Sequence, residues 1–167
     1  MKPKYDNYDV NDESFARDFF HLLRELPKNK GYSYNRKLKL LNFAIRIWTD
    51  KPYKIISKKV EEHFSKNYPN IDPFSIRWDN RKKYGVVGNK SILVLEHTTP
   101  VNIFIKDLLK CKSLQEVITS MNEYTGVCLI TRDEDDLLNL KGYRSKRPNG
   151  WEQSYKECGI KIIKLKL

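Results

Sequence analysis

Two short apolar runs, Ile92 to Leu95 and Gly126 to Ile130, constrain this chain more than any other feature. Each is too short for a buried helix and has the unbroken apolar character of a strand covered on both faces. Each also stops abruptly at polar residues that open a helix. After Leu95 come Glu96, His97, Thr98, Thr99 and Pro100. Thr98 or Thr99 caps a helix whose first residue is Pro100, because proline lacks only an N–H that the first turn leaves unpaired. After Ile130, Thr131-Arg132-Asp133-Glu134 is a capping box.

Between and beyond these runs the pattern alternates. Val101, Phe104, Ile105, Leu108 and Leu109 form one helical stripe. Ser113-Leu114-Gln115-Glu116 is a second capping box, ahead of Val117, Ile118 and Met121. Leu137, Leu138 and Leu140 follow Thr131 and stop at Gly142. A short helix around Trp151 to Glu157 ends at Gly159, and Ile160 to Leu167 reads as a last strand. The order is β-αα-β-αα-β, the pattern of crossover connections. If the two apolar runs pair in parallel, Glu96-His97-Thr98 and Thr131-Arg132-Asp133 converge on one sheet edge, where open α/β sheets bind ligands.

Upstream, three helices are expected. Asn11, Asp12 and Glu13 start the first, with Phe15, Phe19, Leu22, Leu23 and Leu26 as its stripe up to Pro27. The second runs from about Asn35 to Trp48 on Leu38, Leu41, Ile45 and Trp48. The third is capped by Asp50, with Pro52 early and a stripe of Ile55, Ile56, Val60 and Phe64. Asp72-Pro73 opens one helical turn, while Ile76 to Asp79 and Tyr84 to Val87 read as strands, the latter before a Gly88-Asn89-Lys90 hairpin. The class is α+β, with N-terminal helices packed on a small mixed sheet. Residues 1–167 are expected to form a single domain, with a helical subregion at 1–67 and an α/β subregion at 76–167.

The net charge is +11, from 32 Lys and Arg against 21 Asp and Glu. A balance so positive points to a polyanionic partner, nucleic acid first, or to a lysine-rich solvated surface with no partner. Cys111, Cys128 and Cys158 are well separated and lack ligand spacing, which argues against a disulfide framework and a structural zinc site. Cys111, between two lysines, is the most exposed of the three by pattern, and Cys128 a small core hydrophobe. His21 and His63 read as surface histidines. Residues 1–12 have no signal-peptide pattern and no window resembles a membrane span, so a cytoplasmic location is expected. No Gly-rich phosphate loop, G-x-S-x-G or H-E-x-x-H occurs.

Two constellations carry candidate chemistry. The first is Glu96 with His97: the imidazole as general base or metal ligand, the carboxylate as ligand or orienting group. The plain alternative is a hydrogen-bonded histidine beside a salt-bridged glutamate. The second is Gly142 to Trp151, where Arg144, Lys146 and Arg147 interleave with Tyr143 and Trp151 in a mixture suited to phosphate pairing and base stacking. Arg132 joins this nucleic-acid set from the capped turn. The plain alternative there is a solvated loop whose aromatics fill core gaps.

Glu96-His97-Thr98-Thr99-Pro100 resembles the opening of the HNH endonuclease motif. The resemblance implies His97 as general base, Glu96 as metal ligand, and a divalent ion such as Mg²⁺ or Mn²⁺. No histidine follows His97, so Asn102, Asn122 or Asp107 would have to replace the family's later ligand. The second half is also similar to short uncharacterised bacterial and phage proteins sharing E-H-x-x-P, T-x-x-E and G-Y-R-S-x-x-P segments, a likeness that implies no activity. A PD-(D/E)XK-like core is a weaker match: Asp79 and Glu96 are present, but Thr98 stands where its lysine belongs, with Lys90 as substitute. The leading expectation is a nucleic-acid-engaging protein, as a metal-dependent nuclease at Glu96-His97. The alternative is a non-enzymatic nucleic-acid-binding regulator, or a mobile-element inhibitor with a protein partner. A homodimer through the last strand is a further expectation.

Overall fold

The computed structural model describes residues 13–48, 55–123 and 126–165. They group into two compact units, Met1–Thr49 with Val101–Tyr124 and Asp50–Pro100 with Thr125–Leu167. The helices after Pro100 group with the N-terminal ones, and residues 55–67 group with the sheet. Among the described residues no helix is long and apolar enough to cross a membrane.

The helical unit contains α1 (Glu13–Glu25), α2 (Tyr34–Trp48), α4 (Val101–Leu108) and α5 (Leu114–Glu123). Helix α1 packs on α5 and α2, and α2 on α4. Phe19, Leu23, Leu41, Ile45, Phe104, Ile105, Leu108 and Val117 form its core, the residues that helical spacing selects. At the start of α5 the Ser113 hydroxyl accepts the Glu116 N–H at 3.2 Å. The Glu116 carboxylate reaches back to the N–H of Lys112 at 2.6 Å, one residue beyond the expected capping-box partner. The expected caps Asn11, Asp12 and Asp50 lie outside the described residues.

The second unit is built on a four-stranded mixed sheet in the order β4-β5-β1-β6. Its strands are β1 (Ile55–Ser57), β4 (Leu93–His97), β5 (Val127–Thr131) and β6 (Ile162–Lys164). Strands β2 (Val86–Val87) and β3 (Lys90–Ser91) form a separate hairpin. Helix α3 (Lys58–Asn67) covers one sheet face; α6 (Arg132–Leu140) and α7 (Gly150–Glu157) cover the other. From β4 onward the chain follows the β-αα-β-αα-β order that the sequence predicts, and the class is α+β.

Two local expectations are overturned. Ile55 and Ile56 are not helical but form the buried strand β1, and the helix starts only at Lys58. Ile56 faces the same core as Val60 and Phe64, so a strand residue and a helix stripe imitate one continuous helical period. Ile76 to Asp79 is not a strand: Ile76 is buried beyond a 3₁₀ turn at Pro73–Ser75, and residues 78–80 form a turn ahead of a second 3₁₀ segment, Arg81–Tyr84. Asp72 does open the first of these turns, accepting the Phe74 N–H at 3.0 Å.

Strands β1 and β5 run parallel, and the helices that leave them, α3 and α6, go to opposite faces. One buried carboxylate joins these departures. Glu134 is 4% exposed. Its Oε2 accepts the Thr131 N–H at 2.9 Å and the Ser57 hydroxyl at 2.6 Å. Ser57 Oγ in turn accepts the Val60 N–H at 3.3 Å as the cap of α3. Replacing Ser57 by Ala removes a helix cap and one donor to a buried carboxylate together. Urea unfolding of Ser57→Ala should therefore show a loss of about 2 kcal/mol.

Candidate functional site

Strand β4 carries the first candidate pair on its last two residues, not on a turn beyond it. Side chains of adjacent strand residues point to opposite faces. Glu96 shares the α6/α7 face with Val94, while His97 takes the α3 face with Leu93 and Leu95. The two groups therefore do not aim at one substrate.

The parallel pairing that would bring the polar turns together is also absent. Strands β4 and β5 are antiparallel, Leu93 opposite Thr131 and His97 opposite Val127. Glu96 and His97 lie beside Cys128 and Val127 at the start of β5 and Arg132 follows its end, roughly 14 to 17 Å away at ~3.4 Å per residue. The turn neighbouring Thr131 is instead the one after Ser57, through the parallel β1. Beside the Glu96–His97 pair, the Thr98 N–H and hydroxyl both donate to the Gly126 carbonyl, at 3.0 and 2.9 Å.

What does meet Glu96 is the basic loop. Arg147, expected on an open surface, is buried, with 2% of its side chain exposed. Its Nη2 donates to Glu96 Oε1, and its Nη1 donates to the carbonyls of His97, at 2.7 Å, and Thr98. The guanidinium carbon lies 5.4 Å from the Tyr155 ring centroid. A guanidinium enclosed in this way clamps the end of β4 and is not presented to phosphate. Among the described residues no three His, Cys, Asp or Glu side chains group so as to hold a metal ion.

The remaining candidates scatter by role. Arg132 donates to the Ser91 carbonyl through Nη2 at 3.3 Å and pairs with Asp135, also at 3.3 Å, fastening α6 to the segment before β4. Burial raises the Asp135 carboxyl above its usual range, against the opposing pull of Arg132. Tyr143 donates its hydroxyl to Glu157; that bond raises the phenol and lowers the carboxyl. Arg144 and Lys146 are exposed. Trp151 packs edge-on against Tyr155 at 5.4 Å, and Lys164 Nζ lies 5.9 Å from a Trp151 ring centroid.

Trp151 marks a groove of about 500 Å³ beside β6, lined also by Tyr155, Lys156, Ile160, Lys161 and Lys164. Glu152 also lines it and pairs with Lys164 at 3.4 Å, so three lysines and one carboxylate beside an indole leave a net positive surface that suits an anion carrying planar rings. Of these, Trp151 is a sequence-predicted site residue and Lys161 and Lys164 are not, because Lys161-Ile162-Ile163-Lys164 reads only as part of a last strand and its place at a sheet edge is set by pairing with β1. His63 also departs from expectation. It is half-buried, and its Nε2 donates to the Tyr84 carbonyl at 2.8 Å.

Comparison of the chain with protein-family models, curated proteins and solved structures finds no significant match.

Removing the Arg147 guanidinium leaves Glu96 facing a largely apolar layer and two carbonyls without their donor. Arg147→Ala should cost about 3 kcal/mol in chemical denaturation, and the Arg147→Leu, Glu96→Leu double variant should recover much of it. Thiol labelling reads the same layer. Burial, with Glu134 and Glu96 nearby, pushes the Cys128 thiol far up, and burial also raises Cys158. Under native conditions iodoacetamide should modify the half-exposed Cys111 first, and Cys128 only when the sheet unfolds.

Proposed function

We propose that the protein binds nucleic acid without cutting it, through a basic, aromatic-bearing surface on its sheet-containing unit. The observation that carries this reading is the Trp151 groove, which Lys156, Lys161 and Lys164 line beside the indole, against the single carboxylate of Glu152, the ion-pair partner of Lys164. Arg144 and Lys146 add exposed cations on the loop that leads into α7, and the net charge of +11 has the matching sign. Phosphates would meet the lysines, and unpaired bases would lie against the indole.

The nuclease expected at Glu96 and His97 is the weaker reading for this geometry. Glu96 is engaged by Arg147, and alternation along β4 separates it from His97. A base and a metal ligand acting on one phosphodiester must converge on it.

Fluorescence anisotropy with labelled single- and double-stranded DNA and RNA, titrated with salt, tests the reading. The logarithm of affinity should fall with the logarithm of salt concentration with a slope of about −3 or steeper, as neutralising about four or more phosphates requires. Absence of binding, or salt-independent binding, would remove the reading. Incubation with Mg²⁺ or Mn²⁺ should leave the probes intact. Cleavage abolished by His97→Ala would restore the nuclease in its place.

A further inference from the structure

The chain carries a second aromatic–cation surface, at the other edge of the sheet. Residues 77–90 contain Arg77, Arg81, Lys82, Lys83 and Lys90 against the single carboxylate of Asp79. Within this stretch Trp78 is 52% exposed and belongs to none of the apolar clusters among the described residues. Leaving an indole half in water forgoes much of the stabilisation that burying so large an apolar side chain provides. A turn that needed only a cap or a spacer would not require one.

The ring is also held in place. The Arg81 guanidinium carbon sits 3.4 Å from the Trp78 ring centroid, and its Nη1 donates to the Trp78 carbonyl. Asn80 Oδ1 accepts the Arg77 N–H at 2.9 Å, and the Arg77 carbonyl accepts the Arg81 N–H at 3.1 Å. The turn is tied to the sheet unit at two further points. Ser91 Oγ donates to the Arg81 carbonyl at 3.2 Å, and His63 Nε2 donates to the Tyr84 carbonyl. The 3₁₀ segment that carries Arg81 packs against β4, an edge strand, whereas the Trp151 groove lies at β6, the opposite edge.

We infer that Trp78, braced by Arg81, is a base-stacking platform for single-stranded nucleic acid, with Lys82 and Lys83 contacting its phosphates. The inference rests on the nucleic-acid reading above and adds a second point of contact for the strand, at the sheet edge opposite the Trp151 groove. A guanidinium on part of the indole fixes its orientation and keeps positive charge beside it, while the exposed half of the residue offers aromatic surface. Only an unpaired base has a face free to occupy that surface; duplex bases are already stacked on one another. Because the turn is fixed before binding, little ordering cost falls on the complex. The exposed Val86 and Val87 of the neighbouring hairpin add apolar surface beside the same cations.

The test compares the full-length wild type, Trp78→Ala, Trp78→Phe and the Lys82→Ala, Lys83→Ala double variant. The probes are fluorescein-labelled oligothymidylate and oligouridylate, and oligothymidylate annealed to its complement. Trp78→Ala should weaken single-strand binding about tenfold or more, with the salt slope and duplex binding unchanged. Trp78→Phe, which keeps a ring, should retain most of the affinity. The double-lysine variant should make the single-strand slope shallower by about 1.4, ~0.7 for each phosphate that is no longer neutralised. Thermal unfolding of Trp78→Ala should match the wild type, since the side chain lies outside the apolar clusters. Wild-type affinity in Trp78→Ala would overturn the platform and leave the broader reading standing. So would an equal loss of single-strand and duplex binding. A wild type that binds none of the probes, and so uses this surface for a protein or for nothing, overturns both.

Discussion

At the carboxyl ends of β1 and β5 a single buried carboxylate, Glu134, accepts from the Ser57 hydroxyl and the Thr131 N–H. A carboxylate costs several kcal/mol to bury unless its lone pairs are met, so this arrangement tolerates little displacement of either strand. It lies where α3 and α6 depart to opposite faces of the sheet, and it joins the capping of both helices. The start of β5 has a counterpart of opposite charge. There Arg147 gathers the Glu96 carboxylate and the carbonyls of His97 and Thr98 under the loop before α7. The carboxyl ends of the central strands β1 and β5 are thus held by a carboxylate, and the carboxyl end of the edge strand β4, beside the start of β5, by a guanidinium.

This use of charge inside the unit decides what is left for chemistry outside it. Glu96 and Arg132 read as site residues because each is a charged group beside a buried strand, and Arg147 because its loop interleaves cations with aromatics. Position there makes such a group equally suited to hold the strand end, and their hydrogen bonds have that role. Among the cations left on the surface, two groups lie beside an indole: Lys156, Lys161 and Lys164 near Trp151, and the cluster around Trp78. Both lie by an edge of the sheet. Lysines on an edge strand also discourage pairing with another sheet, a role that β6 fulfils whatever it binds. The indoles distinguish the two surfaces from a plain charged edge, because preventing aggregation has no use for an exposed aromatic ring.

How far the chain was legible depended on the distance over which each determinant acts. The strand at Val127 to Thr131, the box at Thr131 to Glu134 and the stop at Gly142 are local, and each lies where its residues predict. The stripes of α1, α2, α4 and α5 are local too. Strand β1 was missed because its two isoleucines continue a helical spacing into Val60 and Phe64, and only the pairing with β5 and β6 shows that they are extended. The loop at 142–151 meets Glu96 and the carbonyls of His97 and Thr98. The way it does so, by a buried guanidinium, could not be read from a segment rich in Gly, Pro and charge.

By itself the sequence determined the order of helices and strands in the second half, the α+β class and the sign of the surface charge. These follow from apolar spacing, capping residues and a count of ionisable groups, none of which needs a partner distant in the chain. Only the tertiary structure decided that β4 runs against β5, that β1 separates β5 from β6, and which helices share a core. Strand direction depends on where the intervening helices carry the chain, and an apolar run has the same pattern in a parallel as in an antiparallel pair. That one choice of direction placed Glu96 and His97 at the opposite end of β5 from Arg132.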